Sequence, residues 1–214
     1  MRLLVLLDVD GTLFLTHDPL AGEALRETLE ERFEIRLPGD AIERVDHVGQ
    51  TSLRIGRLVL EAAGVAAARI SAGLPRWCPR FAERYGELVA QADTSGWRAA
   101  PGAEEALEQL TAADHGLALL TGNPEPMARA RMERLGLARF FQAGEGAFGC
   151  EAESRIDLIE AARARAGGWR AEATVEIGDT PRDASSAREA GIRSILVGPD
   201  GLRAAAAQLL AGAG

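Results

Sequence analysis

The first hydrophobic run of the chain, residues 3–7 (Leu-Leu-Val-Leu-Leu), stops abruptly at Asp8. A short apolar run closed by a polar residue predicts a strand buried on both faces of a parallel sheet. Similar runs predict strands at 117–120, 173–177 and 193–197, with a weaker one around 142–144. Helical periodicity fills the intervals, at 103–112, 125–135, 155–166, 182–190 and 202–210. Strands alternating with helices of this length predict an α/β protein with a doubly wound, Rossmann-like parallel sheet.

A different pattern occupies residues 14 to 97, where strand signals are nearly absent. Stretches 20–33, 52–63 and 76–92 carry apolar positions three and four apart, as in Trp77, Phe81, Tyr85 and Leu88. An α-helical insertion is therefore expected over 15–97, with 1–14 and 98–214 forming the α/β core. Pro101-Gly102 punctuates the return to that core.

At 214 residues the chain is long enough to bury its own core, and 47% hydrophobic with 26% charged residues suits a folded protein. A net charge of -8 argues against an extended nucleic-acid surface, which needs basic patches to displace counterions. All 24 basic residues are arginine, so no side chain can form a Schiff base. Cys78 and Cys150 show neither CxxC nor zinc-ligand spacing and read as unpaired thiols in a reducing compartment. The opening apolar run is too short for a signal peptide or a membrane span, so a cytoplasmic protein is expected, with no membrane partner. Oligomeric state is not legible.

Three groups of polar residues follow predicted strands. In Asp8-Val9-Asp10-Gly11-Thr12, alternation along an extended chain can place both carboxylates on one side, and Gly11 lets the backbone turn sharply. One carboxylate can attack as a nucleophile or hold a cation while the other serves as general acid. A plain acidic strand end with a glycine turn has the same letters. Thr121-Gly122-Asn123-Pro124 offers a hydroxyl and amides for a phosphate, although Asn123 as N-cap with Pro124 after it is also an ordinary helix start. Gly178-Asp179-Thr180-Pro181-Arg182-Asp183 reads partly as a capping box on Thr180 and Asp183, which leaves Asp179 unexplained. Ligands of open α/β sheets bind beyond the carboxyl ends of the strands, where these groups converge. Asp8, Asp10, Asp179 and Asp183 would repel one another there unless a hard divalent cation neutralised them, and Mg²⁺ suits oxygen ligands that retain water.

In these motifs the chain resembles the haloacid dehalogenase-like hydrolase superfamily, and the helical insert resembles the cap of phosphoglycolate phosphatase-like members. The resemblance covers roughly 1–14 and 98–214, through Asp8 to Thr12, Thr121, and the Asp179 and Asp183 pair. It implies a Mg²⁺-dependent phosphatase acting on a small soluble phosphate substrate, with Asp8 as nucleophile and Asp10 as general acid and base. Asp8, Asp179 and the backbone carbonyl of Asp10 would hold the metal, supported by Asp183, while Thr121, Gly122 and Asn123 bind phosphate. The family's usual lysine is missing, and Arg155, at the start of a predicted helix, is the best placed substitute, although an exposed helix-end charge would look the same. His17, His47, Gln50 and Thr51 are candidate substrate contacts, the histidines reading equally as surface residues. Asp10 favours phosphoryl transfer over dehalogenation. A phosphomutase of the β-phosphoglucomutase type and a catalytically silent binding module are the alternatives.

Overall fold

A computed structural model describes residues 1–212. Among these, five parallel strands run in the order β3-β2-β1-β4-β5, comprising β1 (Leu4–Leu7), β2 (Gly116–Thr121), β3 (Ala147–Phe148), β4 (Thr174–Gly178) and β5 (Arg193–Leu196). Eight α-helices accompany them among the described residues: α1 (Pro19–Phe33), α2 (Ser52–Ala62), α3 (Ala67–Gln91), α4 (Ala103–Ala112), α5 (Glu125–Arg134), α6 (Arg155–Arg165), α7 (Pro181–Glu189) and α8 (Leu202–Ala211).

Strand β1 lies at the centre, pairing Leu4 to Leu7 with Gly116 to Leu119 on one side and Thr174 to Ile177 on the other. Its alternate residues serve two cores, which explains the unbroken apolar run. Val5 and Leu7 join Leu117, Leu119, Val175 and Ile177 beneath α4, α5 and α8, whereas Leu4 and Leu6 join Ala118, Leu120, Leu158 and Ala187 beneath α6 and α7. Helices therefore cover both faces, as expected of a doubly wound sheet.

Helices α1, α2 and α3 bury a third cluster of their own, including Leu29, Phe33, Leu60, Leu74, Trp77 and Phe81. Trp77 donates its indole N–H to Thr28 Oγ1 at 2.9 Å, so the one polar atom of the largest buried side chain is satisfied. Helix α3 begins at Ala67 rather than at 76 and runs through Pro75 and Pro79. Two prolines in a helix interior are unfavourable, and burial of Ile70, Gly73, Leu74, Trp77 and Cys78 along one face outweighs them.

Two other expectations are corrected. The weak strand lies at Ala147–Phe148, paired with Leu120 and Thr121, and not at 142–144, because Gly144 and Gly146 take left-handed φ values of 81° and 96° that turn the chain first. Cys78 and Cys150 are not free thiols: a disulfide joins them, with Cα atoms 5.6 Å apart. The fold brings α3 over the loop after β3, a proximity that a separation of 72 residues does not reveal.

Candidate active site

Each strand end contributes one part of the site. Asp8 follows β1, its backbone N–H donating to Ile177 O at 2.9 Å, and its side chain is buried. Gly11 then turns the chain at φ 81°, and a Cβ there would overlap the Asp179 carboxylate, so only glycine fits. Thr12 donates to Asp179 Oδ1 at 3.4 Å, linking the first loop to the one after β4. The expected capping box is present: Thr180 Oγ1 accepts from Asp183 N, and Asp183 Oδ2 accepts from Thr180 N at 2.8 Å.

Carboxylate oxygens of Asp8, Asp179 and Asp183 lie within 4.8 Å of one another, close enough to share one cation. Asp183 Oδ1 is buried and makes no well-directed hydrogen bond, but it forms an ion pair with Arg155 Nη2 at 2.7 Å. Three hard carboxylate oxygen donors this close together fit a divalent cation such as Mg²⁺. The Asp10 carboxylate is not in this group. It is held by Asn123 Nδ2 and by Arg131 Nη1, the latter at 2.6 Å.

Arg155 is buried at the start of α6 and is no exposed helix-end charge. It donates to Asp8 Oδ1 at 3.0 Å, to Leu120 O at 3.3 Å, and to Glu176 Oε1 at 3.0 and 3.1 Å. One guanidinium thus faces three carboxylates. Burial pushes the Asp8 carboxyl well above its ordinary range, Arg155 opposes this, and the nearby Asp183 and Asp10 add to it. Asp179 is also raised, by burial and by Asp183. Glu176 is pushed up to about 7, first by burial, against Arg155 and with Asp183.

The second loop departs from its expected start. Pro124, not Asn123, is the N-cap of α5, with Pro126 in the first turn, and Asn123 instead turns its amide to Thr121 Oγ1 at 3.1 Å and to Asp10. Thr121 is buried at the end of β2 and also accepts from Asn123 N at 3.2 Å.

The helical insert sits directly on these loops. Ser52 donates from both N and Oγ to Gly122 O at 2.8 Å, and Leu53 N donates to Gly149 O at 3.0 Å. Arg182 reaches back to Asp46 Oδ2 at 2.7 Å and Val48 O at 3.0 Å. Thr51 caps α2 and donates to Glu153 O at 3.2 Å, so its hydroxyl is committed to structure. Gln50 is half-buried beside Gly122, where a Cβ on that glycine would overlap Gln50 O. His17 and His47 are exposed, and His47 Nδ1 lies 3.1 Å from Val45 O.

Glu176 and Arg131 are absent from the residues singled out above. A glutamate inside an apolar strand was the available signal for the first, since a buried charge requires a partner and this chain offers only arginine. Arg131 had none, because arginines recur throughout α5.

A family model for haloacid dehalogenase-like hydrolases matches residues 3–191. Phosphoglycolate phosphatase of Caulobacter vibrioides is 32% identical over 190 residues, covering 89% of this chain and 76% of that protein. Among solved structures, CbbY from Rhodobacter sphaeroides in complex with phosphate superposes with a TM-score of 0.64 at 19% identity, over 92% of this chain and 87% of that one. A Thermotoga maritima protein described as a β-phosphoglucomutase gives 0.58 at 22% identity, over 98% and 100%. At these identities the solved structures speak for the fold.

Proposed function

The chain belongs to the haloacid dehalogenase-like hydrolases, and on that premise we propose that it is a Mg²⁺-dependent phosphatase cleaving a small phosphorylated metabolite through an aspartyl-phosphate on Asp8. The observation that carries this reading is the Asp8 carboxylate, pinned at 3.0 Å by buried Arg155 within a cluster of acids at the strand ends. Asp8, Asp179 and Asp183 would hold Mg²⁺, with the Asp10 backbone carbonyl beside them. Bound there, the cation supplies positive charge that keeps the raised acids ionised and steadies the transferring phosphoryl oxygens.

Ionised Asp8 attacks phosphorus, forming the Asp8 Oδ–P bond as the P–O bond to the leaving alcohol breaks. Asp10 gives that oxygen its proton. Asp10, now a carboxylate, then takes a proton from water as the water oxygen attacks phosphorus, and the Oδ–P bond breaks to free Asp8 and inorganic phosphate. Arg155 fixes the attacking carboxylate and lends its charge to the phosphoryl group, while Thr121, Gly122 and Asn123 line the same loop. Phosphoryl transfer depends mainly on such positioning and electrostatics.

The insert, as a cap over residues 15–97, places Gln50 and its neighbours above the site and restricts it to small substrates. His17 and His47 are exposed and, with Gln50, are proposed as substrate contacts. We place the enzyme in the cytoplasm, where the cellular thiol pool acts against the Cys78–Cys150 bond.

Phosphate release from a panel of phosphomonoesters, including 2-phosphoglycolate and hexose phosphates, tests the reading when run with Mg²⁺ and with EDTA. Release that requires Mg²⁺ is expected. Isomerisation of a sugar phosphate without release would identify a phosphomutase, and inertness towards the whole panel would leave a binding module.

A further inference from the structure

Arg131 has no part in the chemistry above, yet it is among the most deeply buried large side chains. Its guanidinium uses three nitrogens on three residues: Nη1 donates to Asp10 Oδ1 at 2.6 Å, Nη2 to Asp18 Oδ2 at 2.8 Å, and Nε to Tyr85 Oη at 3.2 Å. The tyrosine hydroxyl in turn donates to Asp18 Oδ2 at 2.6 Å. Phe14 closes the remaining face, its ring centre 4.7 Å from the guanidinium carbon.

The partners come from different parts of the molecule. Asp10 lies in the loop after β1 and Arg131 on α5, whereas Asp18 is the N-cap of α1 and Tyr85 lies on α3, both in the helical insert. Asp18 and Arg131 are sealed from solvent, with side-chain exposures of 3% and 2%, while the Asp10 side chain is 53% exposed. The network is thus closed everywhere except at the carboxylate that faces the site. Held by these partners and with only 2% of its side chain exposed, Arg131 is not placed to bind a phosphate itself. What it can do is hold Asp10.

We infer that Arg131 is a positioning residue that ties Asp10 to the seated helical insert, through Asp18 and Tyr85. The inference rests on the reading of Asp10 as proton donor and acceptor given under Proposed function. Arg131 and Asn123 each hold one Asp10 oxygen, so a carboxylate that would otherwise sample several rotamers is fixed at one place. Asp18 and Tyr85 supply two of the guanidinium's three partners, so the arginine that holds Asp10 is itself held by the insert.

The test uses the full chain with two probes of similar shape, phenyl phosphate and p-nitrophenyl phosphate, the first of which depends far more on protonation of its leaving group. Arg131→Met should lower kcat for phenyl phosphate about 10²-fold, the scale of a misplaced catalytic group, and for p-nitrophenyl phosphate roughly tenfold or less, with little change in KM. Arg131→Lys should recover part of the loss. Because both rates come from one preparation, their ratio is unaffected by any inactive fraction. Asp18→Asn, which keeps an acceptor at the N-cap of α1, should skew the ratio in the same direction. In an Asp10→Asn background, Arg131→Met should leave the ratio where Asp10→Asn put it. Equal losses on both esters, or a further skew on top of Asp10→Asn, would overturn the inference. An Asp10→Asn enzyme with unchanged rates would instead overturn the underlying assignment of Asp10.

Discussion

Arg155 meets Asp8 at 3.0 Å across 147 residues of chain, and both side chains are buried. Helix α6 starts at Arg155 and β1 stops just before Asp8, so the contact forms where two core elements end side by side over the sheet. The same guanidinium also serves Glu176 and Asp183. It is therefore both the partner of the carboxylate proposed to attack and the counter-ion of a buried acid cluster.

Removing it should have two effects that can be measured separately. Arg155→Ala leaves buried acids without their cation, which typically costs about 3–5 kcal/mol of stability. Turnover should fall about 10²-fold as well, the scale for losing one preorganised cationic contact. Arg155→Lys should keep more of both, but not all, since an ammonium cannot reproduce the paired contacts to Asp8 and Glu176. Thermal unfolding and steady-state kinetics on the two variants check this. Wild-type kinetics in Arg155→Ala would move the role to another arginine.

Glu176 predicts a pH effect of definite sign. Its carboxyl is raised from 4.5 to about 7 in the folded protein, so between those values the folded state binds more protons than the unfolded one. Its contribution to stability is complete below the unfolded value and is lost as pH rises through about 7. Asp8 and Asp179, also raised, act in the same direction. Without divalent metal, the melting temperature should decline from pH 5 to pH 8, and Glu176→Gln should flatten the decline. A melting temperature that climbs over this range would contradict the assignment.

Metal dependence follows from the same acids. EDTA should abolish turnover and Mg²⁺ restore it, while Ca²⁺ should support little, because its looser coordination places the nucleophile poorly. Mg²⁺ at a hundred times its Kd should add about 2.7 kcal/mol of stability. The thermal shift should be larger at pH 8 than at pH 5, where the cluster is more protonated. Calorimetry and activity on one preparation give both answers, and full turnover in EDTA would be incompatible with the site described.

The Cys78–Cys150 bond closes a loop of about 72 residues between the insert and the core. Loop entropy of that length corresponds to about 4 kcal/mol, and measured values for native disulfides run at about 2–5 kcal/mol. Dithiothreitol, or Cys78→Ser, should lower the denaturation midpoint accordingly. An unchanged midpoint, with two free thiols titrated after reduction, would show that the bond adds nothing.

Much of the core was legible because local signals agree there. The Leu-rich run of β1 and the breaks at Asp8, Thr121 and Asp179 all fall where strands end on one edge of a parallel sheet. The capping box on Thr180 was equally plain, since it depends on residues three apart. What escaped depends on contacts between distant segments. Cys78 and Cys150 meet only because α3 lies over the loop after β3, and Arg131 acquires its partners only when α1 and α3 settle on α5. Asn123 looked like a helix cap by its letters alone, but Asp10 and Thr121 compete for its amide. Strand β3, two residues long, is too short to carry a period.

The central claim is that Asp8 is the attacking group and Asp10 the proton carrier, and acid-quench labelling with an acyl phosphate tests it most directly. The leaving group of an acyl phosphate needs little protonation, so Asp10→Asn should still accumulate a phosphoryl adduct on Asp8, detectable by mass spectrometry, while steady turnover of ordinary esters drops about 10²- to 10⁴-fold. Asp8→Asn should show neither adduct nor turnover. An adduct on the Asp8→Asn protein, or normal turnover without Asp8, would contradict the account.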